Sequence, residues 1–365
     1  MKVAIIHYWL VNMRGGEKVV EAFCDMFPDA DIFTHVVDLD HISKKLKRHT
    51  INTSFIQRLP KAKRFYQSYL PLMPLALEQL DLRGYDLILS SESGPAKGVI
   101  TSPDSLHICY CHTPMRYLWD MYHDYRDNTG LLKRILMPSI IHYLRMWDFS
   151  SAYRVDSFIA NSSFIKKRIN KYYRRSAKII SPPVDTTAFE PSDIIENFYL
   201  VVGQLVNYKR VDIAIDAFID SGKQLIVIGE GEMFPYLQKK IKDKNITLMG
   251  HQPFSVIREK LATCKALIFP GMEDFGIVPV EAMASGRPVI AYGKGGILDS
   301  VIDGVTGIFF DEQTPRSLNN AINKFEGLEN NFSSSQIIEH AKKFDKTRFI
   351  SKMQAHINEQ LRLNQ

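Results

Sequence analysis

The alternation of short apolar runs with segments of helical periodicity constrains the fold of this chain most. In the first half, the predicted strands are Val3–His7, Ile32–Val36, Leu87–Ser90, Leu106–Cys111 and Ser157–Ala160. In the second half, they are Phe198–Val202, Gln224–Ile228, Ile246–Met249, Ala266–Phe269 and Pro288–Ala291. Strands that alternate with helices form parallel sheets with helices on both faces. The sequence therefore predicts an α/β protein.

The length of the chain and a proline-rich, polar segment near its middle favour two domains. A chain of 365 residues is long enough for two domains of ordinary size. Pro182-Pro183 and the polar stretch 191–197 indicate a linker between them. We expect one Rossmann-like domain over 1–185 and a second over 186–345.

The segment from Phe269 to Ile290 predicts a ligand site. Its pattern indicates strand, turn, helix and strand, with Glu273 in the loop after the first strand and Glu281 about one turn into the helix. In open α/β sheets, ligands bind outside the carboxyl ends of the strands. A helix N-terminus there offers N–H groups to an anion, and carboxylates accept hydrogen bonds from sugar hydroxyls. A sugar nucleotide carries both kinds of group.

This segment resembles the retaining glycosyltransferases of family 4. The resemblance implies that Glu273 contacts the transferred sugar and that Glu281 holds the ribose. It also implies that backbone N–H groups at Phe275, Gly276 and Ile277 face the sugar and the diphosphate. Two glutamates eight residues apart also arise by chance, but the dipeptides Pro-Gly and Phe-Gly and the tripeptide Gly-Arg-Pro around them favour the family.

The resemblance covers essentially the whole chain and implies the GT-B fold. That fold has two Rossmann-like parallel-sheet domains that face each other across a cleft, and its last helix returns to the N-terminal domain. Here the returning tail would be 346–365, where residues 347–361 have helical periodicity. The family assigns acceptor binding to the N-terminal domain and nucleotide-sugar binding to the C-terminal domain.

The segment Val201–Arg210 is the second match to the family. Lys209 stands where the family has a lysine that neutralises the leaving diphosphate. Gln204 replaces the usual arginine, and Arg210 follows the lysine, so we assign both to donor binding, with Arg210 or a backbone group as a substitute for the missing charge. Lys209 could instead be a surface lysine, although the helix dipole disfavours a cation at a helix start unless an anion lies nearby.

Two further motifs complete the predicted site. Gly15 and Gly16 follow the first strand but lack the full dinucleotide fingerprint. The resemblance implies that they let the backbone approach the donor diphosphate, which a side chain at Gly16 would block. His112 and Arg116 lie in a segment similar to His-Thr-Pro-Met-Arg-Tyr of the bacterial mannosyltransferase-like branch. His112 is then expected to contact the donor sugar and Arg116 the acceptor phosphate or the donor, although a lone histidine is often structural.

No metal site is predicted. Cys109 and Cys111 beside His112 have no second cluster to complete four ligands. We expect these cysteines to be buried apolar groups. Four cysteines in a chain this long are typical of a reduced, cytosolic protein.

Two basic tracts set the charge distribution of a chain whose net charge is +6. Residues 41–70 carry eight Lys or Arg and no acid, and residues 131–180 carry eleven and two acids. Both tracts are interleaved with apolar side chains, which suits an anionic membrane surface. Solvated helix faces are an alternative; nucleic acid is disfavoured because no nucleic-acid motif accompanies the charge.

These observations together predict a retaining, metal-independent hexosyltransferase without a cofactor. The expected donor is GDP-mannose, and the expected acceptor is a lipid-linked glycan of bacterial surface polysaccharide synthesis, such as O-antigen or capsule. The expected location is cytoplasmic, peripheral on the inner face of the cytoplasmic membrane. One alternative is a soluble family 4 enzyme that uses a UDP- or ADP-sugar on a small molecule or a glucan. The other is a GT-B epimerase or a nucleotide-binding regulator that transfers no sugar.

Overall fold

The chain forms two compact units in the computed structural model, which describes residues 1–127, 130–241 and 245–364. Unit 1 comprises Met1–Pro183 and Phe349–Gln365, and unit 2 comprises Val184–Arg348. The boundaries expected from the sequence, 185/186 and 345/346, differ from these by a few residues. Each unit is built on its own parallel sheet.

Unit 1 contains a seven-stranded parallel sheet in the order β3-β2-β1-β4-β5-β6-β7. Its strands are β1 Val3–His7, β2 Asp31–Thr34, β3 Ile51–Thr53, β4 Leu87–Glu92, β5 Leu106–Cys111, β6 Ser157–Ala160 and β7 Ala177–Ile179. The helices between them are α1 Gly15–Met26, α2 Ala62–Phe65, α3 Met73–Glu78, α4 Tyr122–Asp127, α5 Leu131–Ser151 and α6 Ser163–Tyr173.

Unit 2 contains a six-stranded parallel sheet in the order β10-β9-β8-β11-β12-β13. Its strands are β8 Tyr199–Val202, β9 Leu225–Ile228, β10 Ile246–Gly250, β11 Leu267–Phe269, β12 Val289–Tyr292 and β13 Gly307–Phe310. Its helices are α7 Val211–Ser221, α8 Phe234–Lys240, α9 Phe254–Thr263, α10 Ile277–Ala284, α11 Ile297–Ser300, α12 Pro315–Leu328 and α13 Ser334–Ala341. The last helix, α14 Lys346–Leu363, begins here and continues into unit 1.

Helices cover both faces of each sheet, and this explains the apolar composition of the strands. The central strands β1, β4 and β5 are buried along their whole length. A parallel strand that is covered on both faces has no solvent side, so it lacks the alternating polar residues of a half-exposed strand. This continuous apolar character is what made the strands visible in the sequence.

The two parallel α/β units confirm the predicted fold class, but the sequence prediction missed three strands. β3, β7 and β13 each contain only three or four residues and lie at an edge of their sheet. Such short runs carry too little periodic signal to be distinguished from loops.

The last helix packs into the core of unit 1, as the resemblance implied. Phe349, Met353 and Ile357 recur at helical spacing and are buried in the same cluster as β1, β4 and β5. The ring of Phe349 lies 6.1 Å from that of Phe23 and 5.6 Å from that of Tyr110, centroid to centroid. This helix therefore closes one face of the first sheet.

A buried charge cluster fixes the loop that follows β4. The ammonium group of Lys97 is fully buried between Glu92, at 3.1 Å, and Asp148 of α5. Burial alone would lower the pKa of Lys97, but the two carboxylates raise it well above its usual value. Asp148 also accepts hydrogen bonds from Trp119 and Tyr173. Because every charge in it is paired, removing a single partner would leave an uncompensated buried ion.

No helix in the described ranges is both long enough and apolar enough to span a bilayer.

Replacement of Phe349 by alanine should destabilise the protein by about 3–5 kcal/mol, because the change opens a cavity between α14 and the first sheet. Leu363→Ala, at the 73% exposed end of the same helix, is the control and should cost less than about 0.5 kcal/mol. Urea unfolding followed by circular dichroism measures both. Equal effects of the two substitutions would contradict the packing of α14.

Candidate active site

The carboxyl ends of β8 and β11 enclose a pocket in unit 2. The residues that line it are Val201, Val202, Gly203, Gln204, Lys209, Val211, Ile268, Phe269, Pro270, Gly271 and Glu273. These two strands are neighbours in the sheet, so the loops that follow them lie side by side. The pocket therefore occupies the position where open α/β sheets bind their ligands.

Lys209 and Glu273 form an ion pair at this pocket. The Nζ atom of Lys209 lies 2.9 Å from Oε1 of Glu273, and the two side chains are only 18% and 19% exposed. Lys209 belongs to the turn after β8, and Glu273 belongs to the loop after β11. The sequence analysis assigned Lys209 to the leaving diphosphate and Glu273 to the transferred sugar, and the structure brings the two side chains into contact.

Glycine at two positions permits this close arrangement of loops. A Cβ atom at Gly271 would lie 2.8 Å from Cα of Lys209, which is closer than real contacts allow. Gly203 has φ +149°, and a Cβ there would lie 3.1 Å from Nζ of Lys209. Any larger residue at Gly271 would push Lys209 away from the ends of the strands.

Helix α10 begins at Ile277, four residues after Glu273 in the chain. Gly276 precedes the helix with φ +88°, a left-handed conformation that favours glycine, and Ile277 begins the helix. Glu281 lies one turn further on and is partly buried. Phe275 is buried against Phe344, which anchors the loop. The N–H groups at this helix start suit an anionic ligand.

Gln204 and Arg210 differ in their availability to a diphosphate. Gln204 is exposed and lines the pocket. The guanidinium of Arg210 is held by Asp212 at the start of α7, with N···O distances of 3.1 Å from both Nε and Nη2. An anionic ligand would have to compete with that carboxylate for Arg210. In this conformation, Arg210 can therefore supply the positive charge that Gln204 lacks only by giving up its contact with Asp212.

In unit 1, His112 is part of a buried polar network. Its Nε2 lies 2.8 Å from Oγ of Ser91, and that oxygen lies 3.1 Å from Nδ1 of His7. Oε1 of Glu17 faces Nε2 of His7 at 3.7 Å. His7, Ser91 and His112 lie at the carboxyl ends of β1, β4 and β5, which are adjacent strands, and Glu17 lies in α1.

The glycine pair at the start of α1 lies against this network. Gly15 is the first residue of the helix. A Cβ atom at Gly16 would lie 3.0 Å from the hydroxyl of Tyr8, 3.3 Å from Cε1 of His7 and 3.7 Å from Nε2 of His112. Glycine at this position therefore lets the backbone come close to the two imidazoles.

The sequence analysis overlooked His7, Ser91 and the role of Glu17. The available signal was a polar residue at the carboxyl end of a buried strand, where an apolar residue would be expected. His7 ends β1, and Ser91 lies directly opposite it in the register of β4. Sequence alone cannot give this juxtaposition, because 83 residues separate them along the chain.

His112 is held in its neutral form. Burial, reinforced by the neighbouring His7, lowers the pKa of His112 to about 3. The loop that carries it continues to Arg116, which is partly buried, and is tied to α6 by Arg168. Arg168 donates to the carbonyl of Pro114 at 3.2 Å and pairs with Asp120 at 2.5 Å.

The cysteines behave as buried apolar groups. All four are free and buried, and burial raises the pKa of Cys109 and of Cys111. Cys109 and Cys111 pack together against α6, while the intervening Tyr110 points into the opposite core cluster. In the ranges 1–127, 130–241 and 245–364, no group of three or more His, Cys, Asp or Glu side chains could hold a metal ion.

Two family models match consecutive parts of the chain. The model described as Glycosyltransferase Family 4 matches residues 13–188, and the model described as Glycosyl transferases group 1 matches residues 187–344. Together the two models match residues 13–344. With the two parallel-sheet units, they support a GT-B glycosyltransferase of family 4.

Curated relatives extend the comparison. The chain is 31% identical over 196 residues to a glycosyltransferase of Methanocaldococcus jannaschii, covering 52% of this chain and 55% of the relative. It is 28% identical over 265 residues to the alpha-1,3/1,6-mannosyltransferase ALG2 of Dictyostelium discoideum, covering 59% and 60%. The chain thus spans little more than half the length of these two relatives.

Among solved structures, HepE of Anabaena in complex with UDP superimposes with a TM-score of 0.74. The superposition covers 98% of this chain and all of that chain, at 16% sequence identity. At this identity the likeness establishes the shared fold.

Gly271→Ala should weaken nucleoside diphosphate binding by roughly tenfold, or about 1.4 kcal/mol, because the added methyl displaces Lys209. Gly327→Ala is the matched control, since a Cβ in that helix meets open space. Titration calorimetry with GDP and UDP measures both variants. Wild-type affinity in Gly271→Ala would show that the position of Lys209 does not matter for the ligand.

Proposed function

We propose that this chain is a retaining hexosyltransferase that moves mannose from GDP-mannose to a lipid-linked glycan acceptor. The Lys209–Glu273 ion pair beside the start of α10 is the observation that carries the proposal. It offers an ammonium group to a leaving diphosphate and a carboxylate to sugar hydroxyls at the same pocket. Glu281, on the same helix, is assigned to the ribose of the donor.

The proposed chemistry needs no enzymic nucleophile or metal. The acceptor hydroxyl attacks the anomeric carbon on the face from which the diphosphate departs. The C–O bond to the acceptor forms as the bond to the diphosphate breaks, and a phosphate oxygen takes the hydroxyl proton. Lys209 and the N–H groups of Gly276 and Ile277 stabilise the departing charge, while Glu273 and neutral His112 contact the sugar.

The relatives support mannose, and one structural neighbour supports a second donor. ALG2 of Dictyostelium discoideum is a mannosyltransferase, which favours GDP-mannose as the donor. HepE of Anabaena is in complex with UDP, which keeps a UDP-sugar as the second candidate. The likeness to HepE is one of fold only, so the mannosyl donor is the proposal we favour.

Incubation with GDP-mannose and a polyprenyl-diphosphate glycan tests the proposal. The wild type should give a product with an α-mannosyl linkage, visible in its anomeric coupling by NMR. Glu273→Gln should reduce kcat by about a hundredfold, because the carboxylate that contacts the sugar is lost. Glu312→Gln, in an exposed loop of the same unit, is the control with unchanged rate. Full activity of Glu273→Gln would refute the assignment.

A thermal-shift panel of GDP, UDP, dTDP and ADP separates the two donors. Ligand at a hundred times its Kd adds about 2.7 kcal/mol of stability. Stabilisation by GDP that is lost in Glu281→Ala supports GDP-mannose. A selective response to UDP or ADP would keep the family and overturn the mannosyl donor.

We further propose that the protein acts peripherally at the inner face of the cytoplasmic membrane, where lipid-linked acceptors are displayed. Support comes from α5, whose large apolar side chains are exposed. Those with at least 38% exposure are Leu131, Ile135, Leu136, Tyr143, Met146 and Phe149. Several recur at intervals of three or four residues and share one side of the helix. Apolar side chains beside Lys133 and Arg134 suit an anionic lipid surface.

The other basic tract, 41–70, contributes exposed cations. Lys61, Lys63 and Arg64 are exposed on and just before α2, although Lys63 also pairs with Asp38 at 3.1 Å. Phe65 beside them is 44% exposed. Each such cation adds about 1 kcal/mol of attraction to an anionic membrane.

Ile135→Asn combined with Met146→Asn should weaken binding to phosphatidylglycerol vesicles by at least about tenfold, because two inserting side chains are lost. Ile194→Asn combined with Ile195→Asn, at two exposed isoleucines of unit 2, is the matched control. Vesicle co-sedimentation measures both variants. A further variant, in which Gln replaces Lys61, Lys63 and Arg64, should also bind the vesicles more weakly at low salt. Unchanged binding in the α5 variant would remove the membrane proposal for that helix.

A further inference from the structure

Ser91 lies between two imidazoles at the end of the first sheet. Its Oγ atom is 3.1 Å from Nδ1 of His7 and 2.8 Å from Nε2 of His112. Ser91 is fully buried and His7 is 1% exposed. Gly16 covers the same place, since a Cβ there would touch both rings.

A single hydroxyl proton couples the tautomers of the two rings. Ser91 has one proton to donate and two lone pairs to accept with. If it donates to one neutral imidazole, the other must donate to it. A neutral His7 that accepts at Nδ1 therefore requires a proton on Nε2 of His112, and the opposite arrangement requires the opposite tautomer.

Glu17 decides between these two arrangements. Its Oε1 atom lies 3.7 Å from Nε2 of His7, which is buried and has no hydrogen-bond partner within the described part of the chain. Burial alone would raise the pKa of Glu17, but His7 and backbone N–H donors lower it below its ordinary value. For a neutral His7, an ionised carboxylate favours the tautomer with the proton on Nε2.

We propose that Glu17, His7 and Ser91 are positioning residues that fix the tautomer of His112. The proton of His7 faces Glu17, the hydroxyl of Ser91 donates to Nδ1 of His7, and Nε2–H of His112 donates to Ser91. Nδ1 of His112 then carries a lone pair and has no hydrogen-bond partner among the described residues. It can accept a hydrogen bond from a ligand hydroxyl.

The proposal deepens the function proposed for His112 and rests on it. An acceptor nitrogen receives a hydrogen bond from a sugar hydroxyl and places a lone pair near developing positive charge. The opposite tautomer would present an N–H group, which can donate to a hydroxyl oxygen but places no lone pair near the developing positive charge. The network would therefore determine whether His112 assists or opposes transfer.

Long-range ¹H–¹⁵N correlation spectra of ligand-free protein, labelled at histidine, test the assignment. The His112 signals are identified by their loss in His112→Gln. At neutral pH the wild type should show His112 protonated at Nε2. Glu17→Gln and Ser91→Ala should each give a mixture of tautomers, and Ser91→Ala should lower kcat at least about tenfold, or about 1.4 kcal/mol.

Ser90→Ala is the matched control. Ser90 is the adjacent buried serine of β4, and its Oγ lies 2.8 Å from Nε2 of His107. This variant should alter His107 and leave both the tautomer of His112 and the rate unchanged. Circular dichroism checks the fold of each variant, and Glu17→Gln serves if Ser91→Ala does not fold.

Two results would overturn the proposal. One is a wild-type His112 protonated at Nδ1, and the other is a His112 tautomer that neither Glu17→Gln nor Ser91→Ala alters. The spectra need no donor or acceptor, so they are independent of the transferred sugar. A fixed Nε2–H tautomer in a protein that transfers no sugar would support the network and refute the proposed function instead.

Discussion

Parallel strand pairing is the constraint on which the rest of this structure depends. All strands of a parallel sheet end at the same edge, so loops that are far apart in sequence meet there. In unit 1 this edge collects His7, Ser91 and His112 from three adjacent strands. In unit 2 it collects Lys209 and Glu273. Polar chemistry is thereby placed where the apolar strands stop.

Close backbone approach is the second requirement at these edges. Gly16 and Gly271 each lie where a Cβ would press on a functional side chain or its backbone. Such positions carry no chemistry of their own, yet they set the distances at which imidazole, ammonium and carboxylate groups meet. In each unit, the position of the functional groups therefore depends on the glycine beside them.

Buried charge is handled differently at Lys97 and at Glu17 of unit 1. Lys97 is surrounded by paired carboxylates and aromatic donors, which makes that cluster a rigid support for the loop after β4. Glu17 instead faces Nε2 of His7, which has no hydrogen-bond partner among the residues that the structure describes. A cluster in which every buried polar group has a partner stabilises one conformation. A cluster in which one group lacks a partner can instead bias the protonation of its neighbours.

The sequence by itself determined the α/β class, most of the strands, the return of the last helix and the residues around Glu273 and Lys209. These follow from local periodicity and from motifs whose members are close in sequence. Tertiary structure alone decided the short edge strands, the engagement of Arg210 by Asp212 and the contact of Ser91 with both His7 and His112. Edge strands carry too few residues to show a period, and contacts between strands depend on register and twist. A local pattern of residues therefore predicts neither the edge strands nor the contacts between strands.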